Sequence, residues 1–232
     1  MIQILYNIFV FLLEKMKIIF MLRNSKNIID KFYIDYFNTF YKYQQVCIHN
    51  NTGCKGLDFA KCAVLEYRND FKIDNVELKQ SIIPGAGRGV FATKNIKVGE
   101  LITFYPADYI CYKYKTGEYV ILTSEIAHKA GYNDIDCNFE YCLSVDNNYS
   151  VIGDPRICND NTYIGHLIND GYLPSKTDTT VEYYLNSSKK SNCCFHSING
   201  LQMVIIATKD INIGEELYIT YGHTYWFSRI KK

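Results

Sequence analysis

Most of the motifs that would announce a chemistry are missing from this chain of 232 residues. Its nine cysteines (Cys47, Cys54, Cys62, Cys111, Cys137, Cys142, Cys158, Cys193, Cys194) are odd in number and contain no C-x2-C pair. That excludes a zinc-knuckle spacing and a complete disulfide framework, and it reads as a set of reduced thiols. The five histidines include no H-E-x-x-H pair, and neither a G-x-S-x-G elbow nor a Walker lysine occurs. No metal site is therefore expected. Charge of one sign is equally scarce, since the net is +1. A chain so balanced lacks the basic surface of a polyanion binder, and direct nucleic-acid binding is not expected.

Long apolar runs are absent too. The stretch IQILYNIFVFLL (2–13) falls short of the roughly 20 residues a spanning helix needs, and EKMK interrupts it before the next apolar run. A signal peptide would need a basic start and a small-residue cleavage site, and neither is written. Three readings of residues 1–24 stay open: a membrane anchor, a buried or amphipathic helix, or an extension outside the mature product, because Met16 and Met21 offer later starts.

What is present points to a folded chain, with 48% hydrophobic residues and length enough for one main domain with an appendage. Apolar residues recur every three to four positions over 28–41 (Ile28, Phe32, Tyr36, Phe40 among them), which predicts a helix. A shorter one is expected over 57–67. A helical extension over 25–72 would thus precede a domain over 73–232 in which strands dominate, giving a mainly β fold with some α.

Within that domain the chain repeats a phrase. ATKNIKVGE (92–100) returns as ATKDINIGE (207–215) at one fixed offset. An extra residue, Glu216, then shifts the frame so that Leu101 faces Leu217 and Tyr105 faces Tyr221. Two copies do not make a solenoid or propeller. Each reads as strand, turn, strand, a hairpin-like unit used twice. Between them, EYCLSVDNNYSVI (140–152) carries a hairpin signal, YIGHLIN (163–169) is a short helical or irregular piece, and the polar stretch 170–192 reads as an insertion or mobile loop. The cluster GAGRG (85–89) leads into a strand rather than a helix, so it is a turn, not a phosphate cradle.

Taken in order, GRGVFATKNI, a hairpin opening at Tyr141, HLIND and GEELYITYG resemble the SET domain of protein lysine methyltransferases, over roughly residues 79–226. The resemblance implies a fold of several small sheets around a knot-like crossing, with the echoing segments in different sheets. It implies S-adenosyl-L-methionine as cofactor and, as partner, a protein or peptide bearing the target lysine, a histone being one candidate. Gly87, Arg88 and Gly89 match the segment whose backbone lies along the cofactor, and Asn169 matches the asparagine of the family's Asn-His-Ser motif. Asp170 and Gly171 depart from that motif, which leaves Asp170 a cofactor contact by position only. Tyr221 matches the catalytic tyrosine. Tyr105, Tyr141 and Ile219 match positions along the lysine channel, with Tyr141 also near the cofactor. Trp226, beside Tyr225 and Phe227, would close the site as an apolar lid or anchor the C-terminal segment. Ile219, smaller than an aromatic ring, would leave room for di- or trimethylation. The rival reading is a SET-like peptide-binding module whose turnover is lost through Asp170-Gly171.

Overall fold

The computed structural model describes residues 72–114, 116–145, 149–198 and 202–230. The expected helices at 28–41 and 57–67 and the apolar segment 1–24 lie outside these residues. No helix among the described residues is long and apolar enough to cross a membrane.

Among the described residues, three small antiparallel sheets carry the fold. Strands β1 (Val76–Gln80) and β2 (Arg88–Ala92) form the first, in the register Val76↔Ala92 to Gln80↔Arg88. Their connection holds the glycine cluster, where Gly85 (φ 79°) and Gly87 (φ 72°) adopt the left-handed backbone that L side chains rarely tolerate. The cluster thus makes a turn ahead of a strand, as its sequence implies.

The second sheet has β3 (Leu101–Phe104), β9 (Gln202–Ala207) and β8 (Cys193–Ile198) in that order. The third runs β5 (Tyr119–Thr123), β4 (Tyr109–Lys113), β7 (Tyr149–Ile152), β6 (Cys142–Ser144). Here the expected 140–152 hairpin forms with Cys142 opposite Ile152. A short helix α1 (Glu125–Lys129), capped by the Ser124 side chain, follows β5.

The two echoing segments do not fold back on themselves; each grips the other. Ala92 N donates to Glu215 O and, equivalently, Ala207 N donates to Glu100 O. Gly214 N donates to Ala92 O while Gly99 N donates to Ala207 O, and Ile96 and Ile211 exchange both backbone bonds. Side chains follow the same symmetry: Val98 N donates to Asp210 Oδ1 and Ile213 N to Asn95 Oδ1. This corrects the reading of one hairpin-like unit used twice, because β2 and β3 of the first copy lie in different sheets and β3 pairs with β9 from the second. Strand propensity is satisfied equally by either pairing, so the segments alone could not distinguish them. The apolar faces of both copies (Ala92, Ile96, Ala207, Ile211) are buried in one core.

After the second copy no regular strand forms over 216–219. Leu217 N donates to Val90 O, Tyr218 N to Asn192 Oδ1 and Ile219 N to Asn169 O, so three different segments supply the partners. Only isolated bridges result, Phe91↔Glu216 and the parallel Asn169↔Tyr218.

The segment expected to be a mobile loop contains helix α2 (Thr180–Lys190), closed at its start by a capping box between Thr179 and Glu182. Its polar composition hid it, since only Tyr183 and Ser187, four apart on one face, are buried. Helix α3 (His223–Ile230) ends the described chain. Residues 161–167 form two 3-10 turns, Asn161–Tyr163 and Gly165–Leu167.

Candidate functional site

A cleft of about 580 Å³ opens where the glycine turn, the start of β6, the 165–170 segment and α3 converge. Of the residues singled out in the sequence, Gly87, Arg88, Tyr105, Tyr141, Asn169, Asp170, Tyr221 and Trp226 line it. Gly89 and Ile219 do not. Ile219 is buried in the core with Ile96, Ile168 and Leu217. Arg88 lines the cleft with its guanidinium tied down, donating to Pro155 O at 2.5 Å and to Cys158 Sγ at 3.0 Å.

Asn169 bonds to one buried carboxylate, Glu216, and is followed in the chain by a second, Asp170. Its Nδ2 donates to Arg88 O (3.0 Å) and to Glu216 Oε1 (3.3 Å), and its backbone oxygen receives Ile219 N (2.9 Å). Nδ2 is thereby committed, and the acceptor capacity of the amide stays with Oδ1. Glu216, the residue that breaks the echo's frame, is 4% exposed. It accepts from the Ser81 hydroxyl (2.6 Å), Ile82 N (2.9 Å) and the Tyr218 hydroxyl (3.0 Å) as well as from Asn169. Those bonds tie the start of the 216–219 segment to the approach of the glycine turn.

Asp170 is the second carboxylate, 5% exposed. Its Oδ1 accepts from Tyr172 N and the Ser187 hydroxyl; its Oδ2 accepts from the Tyr183 hydroxyl, Tyr221 N and Trp226 Nε1. Five neutral donors consume the lone pairs of both oxygens. Gly171 follows because the side chains of Lys190 and Tyr218 leave no room for another: a β-carbon there would stand 2.8 Å from Lys190 Cβ and 3.1 Å from the Tyr218 ring.

The walls are aromatic. Tyr221 stacks on Trp226 (centroids 6.0 Å apart, planes at 14°) and meets Tyr225 edge-on at 4.7 Å. Its hydroxyl donates to Ile168 O at 2.8 Å, and that of Tyr105 to Tyr141 O at 2.8 Å. Burial first, then neighbouring Tyr225 and Asp170, pushes the Tyr221 phenol well above its ordinary range. Burial does the same to Tyr105 and raises Tyr141. All three therefore stay protonated near neutrality. Each of Tyr225 and Trp226 lines the cleft, whereas Phe227 packs edge-on against Tyr183 of α2 at 6.4 Å. The aromatic triplet thus divides between wall and anchor.

Sequence reasoning passed over His166, Phe195 and Glu216. His166 lies edge-on to Tyr105 (6.2 Å) and Tyr141 (5.9 Å), and Phe195 meets Tyr105 at 5.9 Å. Nothing local marks Phe195, an ordinary β8 residue. Glu216 had a signal, being the one insertion in an otherwise constant repeat.

A family model described as SET domain matches residues 87–222. N-lysine methyltransferase KMT5A-A of Xenopus laevis is 27% identical over 150 residues, covering 62% of this chain and 36% of that protein. N-lysine methyltransferase KMT5A of Xenopus tropicalis is 28% identical over 151 residues, again covering 62% and 36%. The chain thus spans about a third of the length of these curated relatives. A crystal structure described as that of a Plasmodium falciparum "putative histone methyltransferase" aligns with a TM-score of 0.34 and 18% identity, over 66% of this chain and 98% of that one.

Proposed function

The chain belongs to the SET-domain family, and on that premise we propose that it transfers a methyl group from S-adenosyl-L-methionine to a lysine side chain of a protein or peptide. The observation that carries this reading is the convergence of Tyr105, Tyr141, Asn169 and Tyr221, far apart in sequence, on one aromatic cleft. The described bridges at Phe91–Glu216 and Asn169–Tyr218 support a knot-like crossing of the 216–219 segment.

The residues present fit the cofactor. Gly85 and Gly87 have nothing within 4 Å of where a β-carbon would stand, so the turn offers bare backbone. Asn169 Oδ1 is an acceptor suited to an ammonium group, and Tyr225 and Trp226, perpendicular at 5.1 Å, offer an aromatic wall to an adenine ring. S-adenosyl-L-methionine, when bound, supplies the methyl group on a sulfonium, from which in-line displacement by an amine removes it.

The remaining work falls to the protein. A lysine amine with a pKa of about 10.4 in water is neutral in fewer than roughly one molecule in a thousand at pH 7. An aromatic channel formed by Tyr105, Tyr141, Phe195 and Tyr221 disfavours the ammonium and lowers that pKa. The Tyr221 and Tyr105 hydroxyls already donate to carbonyls, so their lone pairs are what they present to an amine. Held protonated by burial, these phenols orient rather than abstract, and rate comes mainly from alignment.

Asp170-Gly171 is the feature that would favour a peptide-binding module without turnover. Its dense bonding to cleft residues Tyr221 and Trp226 supports a compensated site and the enzyme reading. The test is incubation with labelled S-adenosyl-L-methionine and a panel of histones and whole-cell protein. Label on lysine is expected, and binding without transfer to any protein would favour the module.

A further inference from the structure

Helix α2 contributes no residue to the cleft wall, yet it holds the most densely bonded carboxylate in the site. Tyr183 and Ser187, one turn apart and both fully buried, donate to opposite oxygens of Asp170 at 2.5 and 2.8 Å. Across the same carboxylate, Tyr221 N at 3.1 Å and Trp226 Nε1 at 2.9 Å donate from the two residues whose rings stack beside the cleft. A buried carboxyl group that needs five hydrogen bonds to satisfy it is a costly way to fill space, since apolar packing serves stability as well or better. Its geometry does something packing cannot: five directional bonds fix α2, the 221 backbone and one edge of the indole relative to each other.

We propose that Asp170 is a positioning residue, through which Tyr183 and Ser187 of α2 set the stacked pair Tyr221 and Trp226 against the cleft. The proposal rests on the methyltransferase reading for its purpose, but its geometry does not depend on a cofactor. It makes α2 a support of the cleft rather than the mobile insertion its composition suggests. Phe227, edge-on to Tyr183, gives α3 a second hold on the same helix.

Trp226 is the chain's single tryptophan, so its fluorescence reports this arrangement directly. The experiment compares the full chain with Asp170→Asn, Ser187→Ala and Tyr183→Phe, all without cofactor. Ile110→Val, in the buried core of the four-stranded sheet, is a control for general loosening. Asp170→Asn and at least one of the two α2 variants should red-shift Trp226 emission and raise its acrylamide quenching about twofold or more, while the control leaves both unchanged. Ser187→Ala, which removes one hydroxyl and no backbone group, keeps the test available if Asp170→Asn does not fold. Emission and quenching equal to wild type in every folded variant would overturn the positioning role. Titration with S-adenosyl-L-methionine is read separately. Binding at least fivefold weaker in the shifted variants is expected, and a wild-type protein that does not bind at all would overturn the reading of the cleft instead.

Discussion

Gly89 and Glu216 compete for one space: a β-carbon on Gly89 would overlap the Glu216 carboxylate, with Asn169 Nδ2 only 3.2 Å away. The glycine is thus dictated by a buried acid and not by backbone conformation, because the positive-φ glycines of this turn are Gly85 and Gly87. Through Glu216, the end of the second echo fixes the approach to the first strand of the site.

Gly89→Ala should therefore destabilise the fold by about 1 to 3 kcal/mol, the usual cost of forcing a methyl group into a filled interior. Denaturant unfolding measures it. An unchanged midpoint would mean that the Glu216 side chain moves aside freely.

Tyr221→Phe keeps the ring that stacks on Trp226 and removes the hydroxyl bonded to Ile168 O. Folding and cofactor affinity should persist while turnover falls about tenfold or more, the pattern of an interaction made in the transition state. Equal turnover in the two proteins would remove the hydroxyl from the mechanism.

Asn169→Ala should weaken S-adenosyl-L-methionine binding by about 1 to 3 kcal/mol, because it removes a polar partner and leaves Glu216 short of one donor. Calorimetry decides this, with thermal unfolding run alongside to separate lost affinity from lost fold.

Acid stability should depend on Asp154. Burial opposes its ionisation, but the Arg156 guanidinium and backbone N–H and the Tyr109 hydroxyl outweigh it, and its pKa lies below the ordinary 3.8. A depressed folded-state pKa contributes stability that is fully present above the unfolded value and is lost as pH falls through the folded one. Arg156→Met should accordingly lower the unfolding midpoint at pH 7, and the gap from wild type should close as pH drops below about 4. Because Arg156 is partly exposed, about 1 to 2 kcal/mol is expected at pH 7. A gap independent of pH would assign the loss to the packing of Arg156 on Tyr132.

The sequence alone determined what local chemistry can write. Strand periodicity and turn residues marked β2, β3 and the 140–152 hairpin, and the ordered motifs drew attention to Asn169 and the tyrosines, now found lining one cleft. Helix α2 was legible in principle, since Thr179-x-x-Glu182 is a local capping signal; the polar composition around it suggested a loop because only two positions needed burial. Tertiary structure alone decided how the echoes pair, for strands so alike in pattern can meet within one copy or across the two, and only the rest of the core selects between them. It also decided what the two acids do. Glu216 meets Ser81 across 135 residues, and Asp170 meets Trp226 across 56. A carboxylate's role is set by which donors surround it, and here they arrive from segments that only folding brings together.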